Sequence, residues 1–277
     1  PFSTDTNASD VGDLTVARKR LAGHSSTTHG YASGGPPGGL DVIDRFPFSS
    51  NASATDVGNL LTNPYGGTAL HAGHSSETHG YASGGEPHPT LGNVIQKFSF
   101  ATATANATDV GDLTVGRRYV TGTSATNVAG YSAGGQQAPG QPTSYVNTID
   151  KFPFTSDANA TDVGDLLNYE HQNAGTSSTT HGYHAGSPTS NVIQKYSFSS
   201  DGNATDVGDL VAGHSSTRRA YATGQSSTNS GYVSGGSTYP PYAESNIIEK
   251  FPFSTDANST DVGDLTGVRI EASGQQV

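Results

Sequence analysis

The sequence predicts an all-β fold built from repeated units of about 50 residues, each containing four short strands. The phrase DVGDL or a close variant occurs six times in the 277 residues, starting at Asp10, Asp56, Asp109, Asp162, Asp206 and Asp261. A Gly-Tyr pair occurs five times at nearly constant spacing, with its tyrosine at Tyr31, Tyr81, Tyr131, Tyr183 and Tyr232. No helical periodicity extends far enough to predict a helix.

The composition fits many short strands joined by turns. Hydrophobic residues make up 32 % of the chain, which also has 36 glycines and 14 prolines. Cysteine is absent, so disulfide scaffolds, thiol catalysis and cysteine-based zinc sites are excluded. The net charge of −11, without a basic stripe, predicts no binding to nucleic acid. The sequence has no long apolar run and no signal-peptide pattern, and therefore predicts no membrane insertion.

Four phrases follow one another within each period, and the first is small and polar. It reads AGHSS at 22–26 and 72–76, AGTSS at 174–178 and TGQSS at 223–227. In a ring of sheets the innermost strand is crowded, so small residues fit where larger side chains collide. We therefore expect this phrase to form the inner strand.

The second and third phrases supply the middle strands. The second reads HGYASGG at 29–35 and 79–85, and the third, the most apolar, reads NVIQKFSF at 93–100. Its β-branched and aromatic residues alternate with polar ones, which is typical of a strand. We expect Val94, Phe98 and Phe100 to pack on one face and Ile95 on the other. The aromatic residues then form the main core, each contributing about 1.5–3 kcal/mol on burial.

The fourth phrase follows an acidic turn, TSDANATDVGDL at 155–166, which has three interpretations. The favoured one is structural, because Asp and Asn side chains bond nearby backbone and Gly164 adopts unusual dihedrals. The second is a calcium site, in which Asp157, Asn159, Thr161 and Asp162 offer oxygen ligands at alternating positions. This spacing departs from the EF-hand loop, since Asp162 stands where that loop needs glycine.

The third interpretation is N-glycosylation. The Asn-x-Ser/Thr triplet recurs at one position of the repeat, beginning at Asn7, Asn51, Asn106, Asn159, Asn203 and Asn258. Acceptor asparagines of this kind are exposed, and they carry glycan only in a eukaryotic secretory host. Outside such a host we expect them to be bare.

The histidines of the first two phrases also repeat. His24 and His29 return as His74 and His79, and His181 repeats the second member of the pair. Their spacing across a turn is compatible with a metal site, but no carboxylate recurs beside them. Packing of polar side chains at strand ends is the favoured interpretation.

The paired glycines give the repeat a resemblance to the kelch propellers. Gly34-Gly35, Gly84-Gly85, Gly134-Gly135 and Gly235-Gly236 resemble the kelch double glycine, and Arg18, Arg117 and Arg269 resemble the arginine that often follows the last kelch strand. Three features depart from that pattern: tryptophan is absent, one repeat has Gly186-Ser187 in place of the double glycine, and two repeats lack the arginine.

The kelch resemblance implies one β-propeller domain over residues 1–277. Its complete units are expected at roughly 15–60, 61–113, 114–166, 167–210 and 211–265. Partial terminal strands at 1–14 and 266–277 are expected to meet and close the ring, giving five or six blades. Since Pro1-Phe2 begins in the middle of a phrase, the chain is expected to be either a processed product or part of something longer.

The wording of the repeat, which reads DANATDVGDLL at 157–167 and THGYASGG at 28–35 and 78–85, also resembles the phrases DANATDVGDLT and THGYxSGG of marine bacteriophage virion and tail-fibre proteins. That resemblance implies a virion or extracellular location. It also implies that the partners are other virion proteins or a host cell-surface glycan. It is compatible with homo-oligomers in an assembly.

The variable loops carry the functional prediction. The sequence shows no Gly-x-Ser-x-Gly elbow and no acid pair outside the repeat, and it lacks the Cys and Trp of kelch copper oxidases. It therefore predicts a non-enzymatic protein without a cofactor. Calcium is the one exception considered. Loops at 36–40, 86–92, 136–146, 187–190 and 237–245 vary most and should cluster on one rim.

Tyr145, Tyr239 and Tyr242 lie in the two longest loops and suit a sugar or protein partner. We expect a structural or recognition protein, a virion appendage or decoration protein. A free carbohydrate-binding, lectin-like propeller is the alternative, and a kelch-type enzyme comes third.

Overall fold

The computed structural model describes residues 4–37, 41–62, 69–86, 92–102, 104, 106–137, 145–211, 218–240 and 242–274. Within these ranges every regular element is a β-strand, and no helix occurs. Five antiparallel sheets of four strands each account for most of the strands, so the prediction of an all-β repeat protein is confirmed.

Each sheet lies within one of the five expected repeat units. The first contains β1 (Ala22–Ser25), β2 (His29–Ser33), β3 (Val42–Pro47) and β4 (Thr55–Asn59). The second contains β5 (Ala72–Ser75), β6 (His79–Ser83), β7 (Val94–Ser99) and β8 (Thr108–Asp112). After β9 (Arg117–Arg118), the third contains β10 (Thr121–Ala125), β11 (Ala129–Ala133), β13 (Thr148–Pro153) and β14 (Thr161–Asp165), with β12 (Gln136–Gln137) between β11 and β13.

The fourth sheet contains β15 (Ala174–Ser177), β16 (His181–Ala185), β17 (Val192–Ser197) and β18 (Thr205–Asp209). After β19 (Arg218–Ala220), the fifth contains β20 (Thr223–Ser226), β21 (Ser230–Ser234), β24 (Ile247–Pro252) and β25 (Thr260–Asp264), with β22 (Ser237–Tyr239) and β23 (Ala243–Glu244) inserted. In every sheet the strands lie side by side in chain order, as a meander.

The first strands of successive sheets adjoin one another, as their small residues predict. A Cβ added to Gly73 would lie 2.4 Å from the Gly23 carbonyl oxygen, and one added to Gly122 would lie 2.3 Å from that of Gly73. Only glycine permits so close an approach. A cavity of about 130 Å³ is lined by the first-strand regions of all five sheets and by a sixth segment of the same kind, residues 272–274.

A bulge shapes the fourth strand of each sheet. Ile43 pairs with Gly58 and Asp44 pairs with Asp56, so Val57 is an extra residue in β4. The Asp56 Oδ1 accepts a hydrogen bond from the Gly58 backbone N–H at 3.0 Å and fixes the local turn. The same register shift occurs in all five sheets, which gives the DVG part of the phrase a structural role.

The acidic turn of each unit is hydrogen-bonded to the fourth-strand phrase of the preceding unit, an arrangement we call the clasp. The Ala160 N–H donates to the Asp112 carbonyl at 2.8 Å, and the Asp112 N–H donates to Asn159 Oδ1 at 3.1 Å. The backbone bond of the clasp occurs six times. Its donor and acceptor residues are 8 and 264, 54 and 13, 107 and 59, 160 and 112, 204 and 165, and 259 and 209. The N-terminal segment is thus clasped to both the fifth and the first sheet.

Hydrophobic side chains fill the spaces between neighbouring sheets. Tyr31 and Ile43 of the first sheet pack with Phe98 of the second, and Phe100 stacks on Tyr31 at a ring separation of 4.5 Å. Ile95 lies in the next cluster, so it faces away from Phe98 and Phe100 as predicted. Two further clusters of this composition lie between the third and fourth and between the fourth and fifth sheets.

Buried charges are balanced inside three of the sheets. Arg18 pairs with Asp44 and Arg117 with Asp150, each at 3.1 Å between fully buried side chains. The fifth sheet has a corresponding buried pair, Arg219 with Glu249. Pairing compensates for part of the cost of removing each charge from water.

The other two sheets replace the acid of this pair by an amide. Gln96 and Gln194 occupy its position in the second and fourth sheets. In the fourth unit Glu170 occupies the position of the arginine, and its carboxylate accepts a 2.6 Å hydrogen bond from Gln194. Burial raises the pKa of Glu170 to about 7.

Candidate binding rim

At one end of the sheets, the segment leading into each first strand meets the loop between the second and third strands. We call this end the loop rim and define it as the described residues 17–21, 69–71, 117–120, 136–137, 145–147, 169–173, 218–222, 236–240, 242–246 and 269–271. The contact is tightest in the third and fifth units, where β9 pairs with β12 and β19 pairs with β22. Part of the longest loop, 138–144, lies outside the described residues.

Six residues of the loop rim share an unusual backbone conformation. Their φ angles lie between +55° and +60°, and they are Arg20, Leu70, Tyr119, Gln172, Tyr221 and Glu271. Non-glycine residues rarely adopt this left-handed conformation, which costs of order 1–3 kcal/mol unless the surrounding structure imposes it.

Backbone hydrogen bonds connect these six residues to one another. Leu70 donates to Arg20, Tyr119 to Leu70 and Tyr221 to Gln172, at 2.9–3.1 Å. Glu271 donates to Tyr221 at 3.1 Å, and Arg20 donates to Glu271 at 2.9 Å. The rim is therefore held by backbone contacts that run from the N-terminal region to the C-terminal region, and its side chains project from a fixed base.

Aromatic rings from the third and fourth units meet on this base. Tyr145 stacks on His171 with ring centroids 4.1 Å apart and planes inclined by 16°. His171 in turn contacts the edge of Tyr119 at 6.1 Å, and the Arg118 guanidinium lies 5.3 Å from the Tyr119 ring. Burial lowers the pKa of His171 to about 4, so at neutral pH its ring is uncharged. Tyr145 keeps 41 % of its surface exposed.

A second aromatic group lies in the fifth unit. Tyr239 and Tyr242 form an edge-to-face pair at 5.4 Å, and Tyr242 is 55 % exposed. Burial is the main cause that raises the pKa of Tyr221, and the neighbouring Tyr119 and Tyr239 raise it further. Tyr119 and Tyr221 also line one cavity of about 110 Å³ at this end of the sheets. We call the set Tyr145, His171, Tyr119, Tyr221, Tyr239 and Tyr242 the aromatic arc.

The three tyrosines singled out from the sequence do not form one cluster. Tyr239 and Tyr242 contact each other, whereas Tyr145 contacts His171 of the next unit. Sequence reasoning missed Tyr119, His171 and Tyr221, which lie on the same rim. The available signal was the segment before the first strand, RRYVTG at 117–122 and RRAYATG at 218–224, where two units carry a tyrosine just ahead of the small inner phrase.

Charged groups of the loop rim are mostly paired. Arg118 forms an ion pair with Glu86, and the Arg20 Nε donates to Glu271 at 3.0 Å. Lys19 lies 3.5 Å from the same carboxylate. A surface of rings and neutralised charges suits an uncharged polar ligand better than a highly charged one.

The four residues of the calcium hypothesis have separate contacts. Asp157 forms an ion pair with Lys97, Asn159 accepts the clasp hydrogen bond, and Asp162 accepts from the Gly164 N–H at 3.1 Å. Thr161 pairs with Lys151 in the sheet register. No group of three or more His, Cys, Asp or Glu arranged to hold a metal occurs among the described residues.

The sequon asparagines have a shared structural role. In five of the six clasps the asparagine Oδ1 accepts a hydrogen bond from a backbone N–H of the preceding unit at 3.0–3.1 Å. These asparagines are Asn7, Asn106, Asn159, Asn203 and Asn258. In the remaining clasp Ser53 takes this role. Asn51 lies exposed two residues before it, so the prediction that all six triplets begin at one position of the repeat is wrong for Asn51.

The two kinds of repeated histidine lie in different surroundings. His24 is fully buried, donates from Nδ1 to the His74 carbonyl at 3.1 Å and accepts at Nε2 from Ser33 at 2.8 Å. His29 lies at the start of its strand and bonds the Thr28 hydroxyl at 2.8 Å, which fits the strand-end prediction. His24 and His74 instead belong to the interior.

Two comparisons with known proteins give no relative. No model of a known protein family matches the chain, and no curated protein matches it significantly. Over the residues that the structure describes, none of the elements is a helix with the length and apolarity needed to cross a bilayer.

Proposed function

We propose that the chain is a non-enzymatic recognition protein that binds its partner through the aromatic arc of the loop rim. The most suitable role is a virion appendage or decoration protein that contacts a host-surface glycan or another virion protein. The observation that carries this proposal is the arc itself: exposed rings from several units held on a base of six residues with positive φ. Rigid, partly exposed tyrosines make binding surfaces of low entropic cost.

We further propose that the five sheets belong to a closed, kelch-like propeller of six units. The sixth unit would consist of the N-terminal segment 4–14 and the C-terminal segment 266–274. Support comes from the six clasps, two of which involve the N-terminal segment, and from the backbone bond between Arg20 and Glu271. The ion pair between Lys250 and Asp5 repeats contacts made between the internal units.

A free carbohydrate-binding protein is the second candidate. The flat platform of Tyr145 on His171 favours it, because sugar rings stack their apolar faces on such aromatic surfaces. An enzyme is less favoured, since the buried Arg18–Asp44, Arg117–Asp150 and Arg219–Glu249 pairs have almost no side-chain exposure that a substrate could reach.

A glycan array tests the proposed rim binding. The parent chain is compared with a triple variant, Tyr145→Ala with Tyr239→Ala and Tyr242→Ala, and with Val128→Ala as control. Val128 is 58 % exposed in the turn between β10 and β11, at the opposite end of the sheet. We expect the triple variant to lose binding by about tenfold or more, as for hot-spot aromatics, while the control keeps it.

Particle assays distinguish the two candidates. Virion association of the parent chain, lost in the triple variant, supports the virion role, and glycan binding without particle association supports a free lectin. The proposal of rim binding is wrong if the folded triple variant equals the parent in the array, in host adsorption and in particle incorporation.

A further inference from the structure

One buried pair of the fold has its charged partner exchanged. In the first, third and fifth units an arginine before the first strand meets an acid of the third strand, whereas the fourth unit has Glu170 and Gln194 at these two positions. The Glu170 carbonyl accepts the Gly135 N–H at 2.8 Å. The Arg117 carbonyl accepts the Gly85 N–H at 2.8 Å, so Glu170 and Arg117 hold equivalent backbone positions. The fourth unit therefore has a buried acid where these three units have a buried base.

The Glu170 carboxylate has no counter-charge. The residue is 1 % exposed, and its Oε2 accepts hydrogen bonds from Gln194 at 2.6 Å and from Asn173 at 3.4 Å. Asn173 is itself held by the Thr121 hydroxyl of β10, which donates to its Oδ1 at 2.6 Å. Glu170 Oε1 has no hydrogen-bond partner. The described residues include every lysine and arginine of the chain, and none of these forms an ion pair with Glu170.

The groups that surround Glu170 on the neighbouring strands carry no positive charge. His184 of β16 lies 3.4 Å from Asn173 Nδ2 through its Nδ1, and burial lowers the pKa of His184 to about 3, so its ring is uncharged at neutral pH. Gln194 of β17 is an amide. Asp206 of β18, which is the register partner of Gln194, would oppose a second negative charge. A protonated, neutral carboxyl group therefore fits this site better than a carboxylate.

The segment that carries Glu170 lacks a strand that its counterparts have. In the third and fifth units the corresponding segments form β9 and β19, which pair with β12 and β22. Residues 166–173, between β14 and β15, form no strand. The Leu167 N–H donates instead to Gln194 Oε1 at 2.8 Å, and Gln194 Nε2 donates to Glu170. The contact between Glu170 and Gln194 therefore helps to hold this segment against the sheet.

Both rings of the stack formed by Tyr145 and His171, which we call the platform, are next to groups bonded to Glu170. His171 follows Glu170 in the chain. Gly135, which donates to the Glu170 carbonyl, accepts the Val146 N–H at 3.0 Å, and Val146 follows Tyr145. A displacement of Glu170 would therefore move His171 and Tyr145 relative to each other.

We propose that protonation of Glu170 is a pH switch for the platform. With a proton on Oε1, the oxygen that has no partner, the carboxyl group is neutral and stays buried, and the segment keeps its place. Loss of this proton to the solvent leaves a buried charge without a partner, so the carboxylate moves towards water and the stack of Tyr145 on His171 loosens. The change of the platform is independent of any ligand, whereas control of ligand binding by the switch rests on the proposed function of the loop rim.

The platform should be ordered at mildly acidic pH and loosened at mildly alkaline pH. Burial raises the pKa of Glu170 from about 4.5 to about 7, so its contribution to stability is complete below about pH 4.5 and is lost as the pH rises through about 7. The ionised fraction of such a group rises from about 10 % at pH 6 to about 97 % at pH 8.5. Burial lowers the pKa of His171 to about 4, so its ring stays neutral over this range.

The variant Tyr145→Trp reports on the platform, because the chain has no tryptophan of its own. Acrylamide quenching of its fluorescence should be at least about twofold stronger at pH 8.5 than at pH 6, with a midpoint near pH 7, as the population shifts to the loosened form. Adding Glu170→Gln should abolish this change, because the amide stays neutral. Glu77→Gln, the same substitution at an exposed glutamate between β5 and β6, is the control and should leave the change in place.

A second variant keeps the test open if Glu170→Gln does not fold. Glu170→Arg combined with Gln194→Asp installs the arginine–acid pair that Arg117 and Asp150 form in the third unit. Quenching in this variant should also be independent of pH between 6 and 8.5, since neither partner of such a pair changes its charge there.

The switch is wrong if the reporter is quenched equally at the two pH values in the otherwise unchanged chain. It is also wrong if the change persists in a folded variant that carries Glu170→Gln or the installed pair. Failure of the array test leaves the switch intact, because the fluorescence is measured without ligand. An unchanged platform leaves the rim proposal intact, since the array measures binding and not its dependence on pH.

Discussion

At the scale of single residues, the third residue of each first strand packs against an aromatic side chain of the next sheet. His24 and His74 meet Phe98 and Phe152 edge-on with ring centroids 5.0 Å apart. Where the third sheet has the smaller Thr123 instead, the aromatic opposite is Tyr196, whose hydroxyl lies 2.5 Å from the threonine hydroxyl. In this pair the smaller threonine of one sheet is compensated by a polar extension from the next, so interior packing is kept.

Tyr196 and Phe251 provide a reciprocal test of this coupling. Tyr196→Phe should destabilise the fold by about 1 kcal/mol, because the buried Thr123 hydroxyl loses its partner. Phe251→Tyr should destabilise the fold less than this or should stabilise it. The buried Thr176 hydroxyl opposite Phe251 has no hydrogen-bond partner, and the new tyrosine hydroxyl would supply one. Urea unfolding measures both variants. Equal destabilisation by the two would contradict the proposed pairing.

The buried histidines make stability dependent on pH. Burial lowers the pKa of His24 to about 4 and that of His74 to about 3, below the value of about 6.5 in an unfolded chain. The unfolded state therefore binds more protons as the pH falls below about 6.5, and stability is lost progressively towards pH 4. Glu170 acts in the opposite direction, because burial raises its pKa to about 7.

The contribution of His24 is isolated by comparing the parent with His24→Gln. Gln225 holds the equivalent position in the fifth sheet and accepts from Ser234 at 2.9 Å, as His24 accepts from Ser33. Melting temperatures measured from about pH 7.5 to 4.5 should fall less steeply for the variant. Parallel curves would show that His24 does not contribute to the acid sensitivity.

At the scale of elements, the repeated acidic phrase is explained by the clasp and the bulge together. Each copy ends one sheet with a bulge and receives the turn of the next unit through backbone and asparagine hydrogen bonds. One phrase thus performs two tasks in successive units. This explains why its core changes so little between copies while its edges vary.

Gly111 and Gly202 test the clasp. Gly111 has a φ of +151°, and a Cβ there would lie 2.5 Å from the Ala158 carbonyl oxygen of the next unit. Gly111→Ala should therefore destabilise by about 1–3 kcal/mol. Gly202→Ala is the matched control, because nothing lies within 4 Å of an added Cβ and alanine stands at this place in neighbouring units. Similar denaturation midpoints for the two variants would contradict the account of the clasp.

The strands were predictable from the sequence because each of their phrases repeats. Ala22–Ser25 and Val42–Pro47 coincide with phrases recognised by their small and aromatic residues. The aromatic arc was not predictable as a set, since Tyr145, His171 and Tyr119 come from two units and meet only through register and backbone conformation. Likewise the role of Arg219 required the fold, because its acid partner Glu249 is 30 residues away.

At the scale of the whole molecule, the proposed closed ring accounts for how the two terminal segments are held. Ala8 donates to Asp264 at 2.7 Å, and Arg20 donates to Glu271 at 2.9 Å. The backbone bond between Arg20 and Glu271 also fixes the base of the loop rim, on which the proposed recognition depends. An open arc would lose both features.

Zero-length carbodiimide cross-linking followed by mass spectrometry tests the closure most directly. Lys250 Nζ lies 3.0 Å from Asp5 Oδ1, and three equivalent pairs between internal units, Lys97–Asp157, Lys151–Asp201 and Lys195–Asp256, serve as controls in the same sample. A closed ring predicts an amide link between Lys250 and Asp5 in a yield comparable to that of the internal pairs. Internal links formed in the folded chain without the Lys250–Asp5 link would contradict the closed ring.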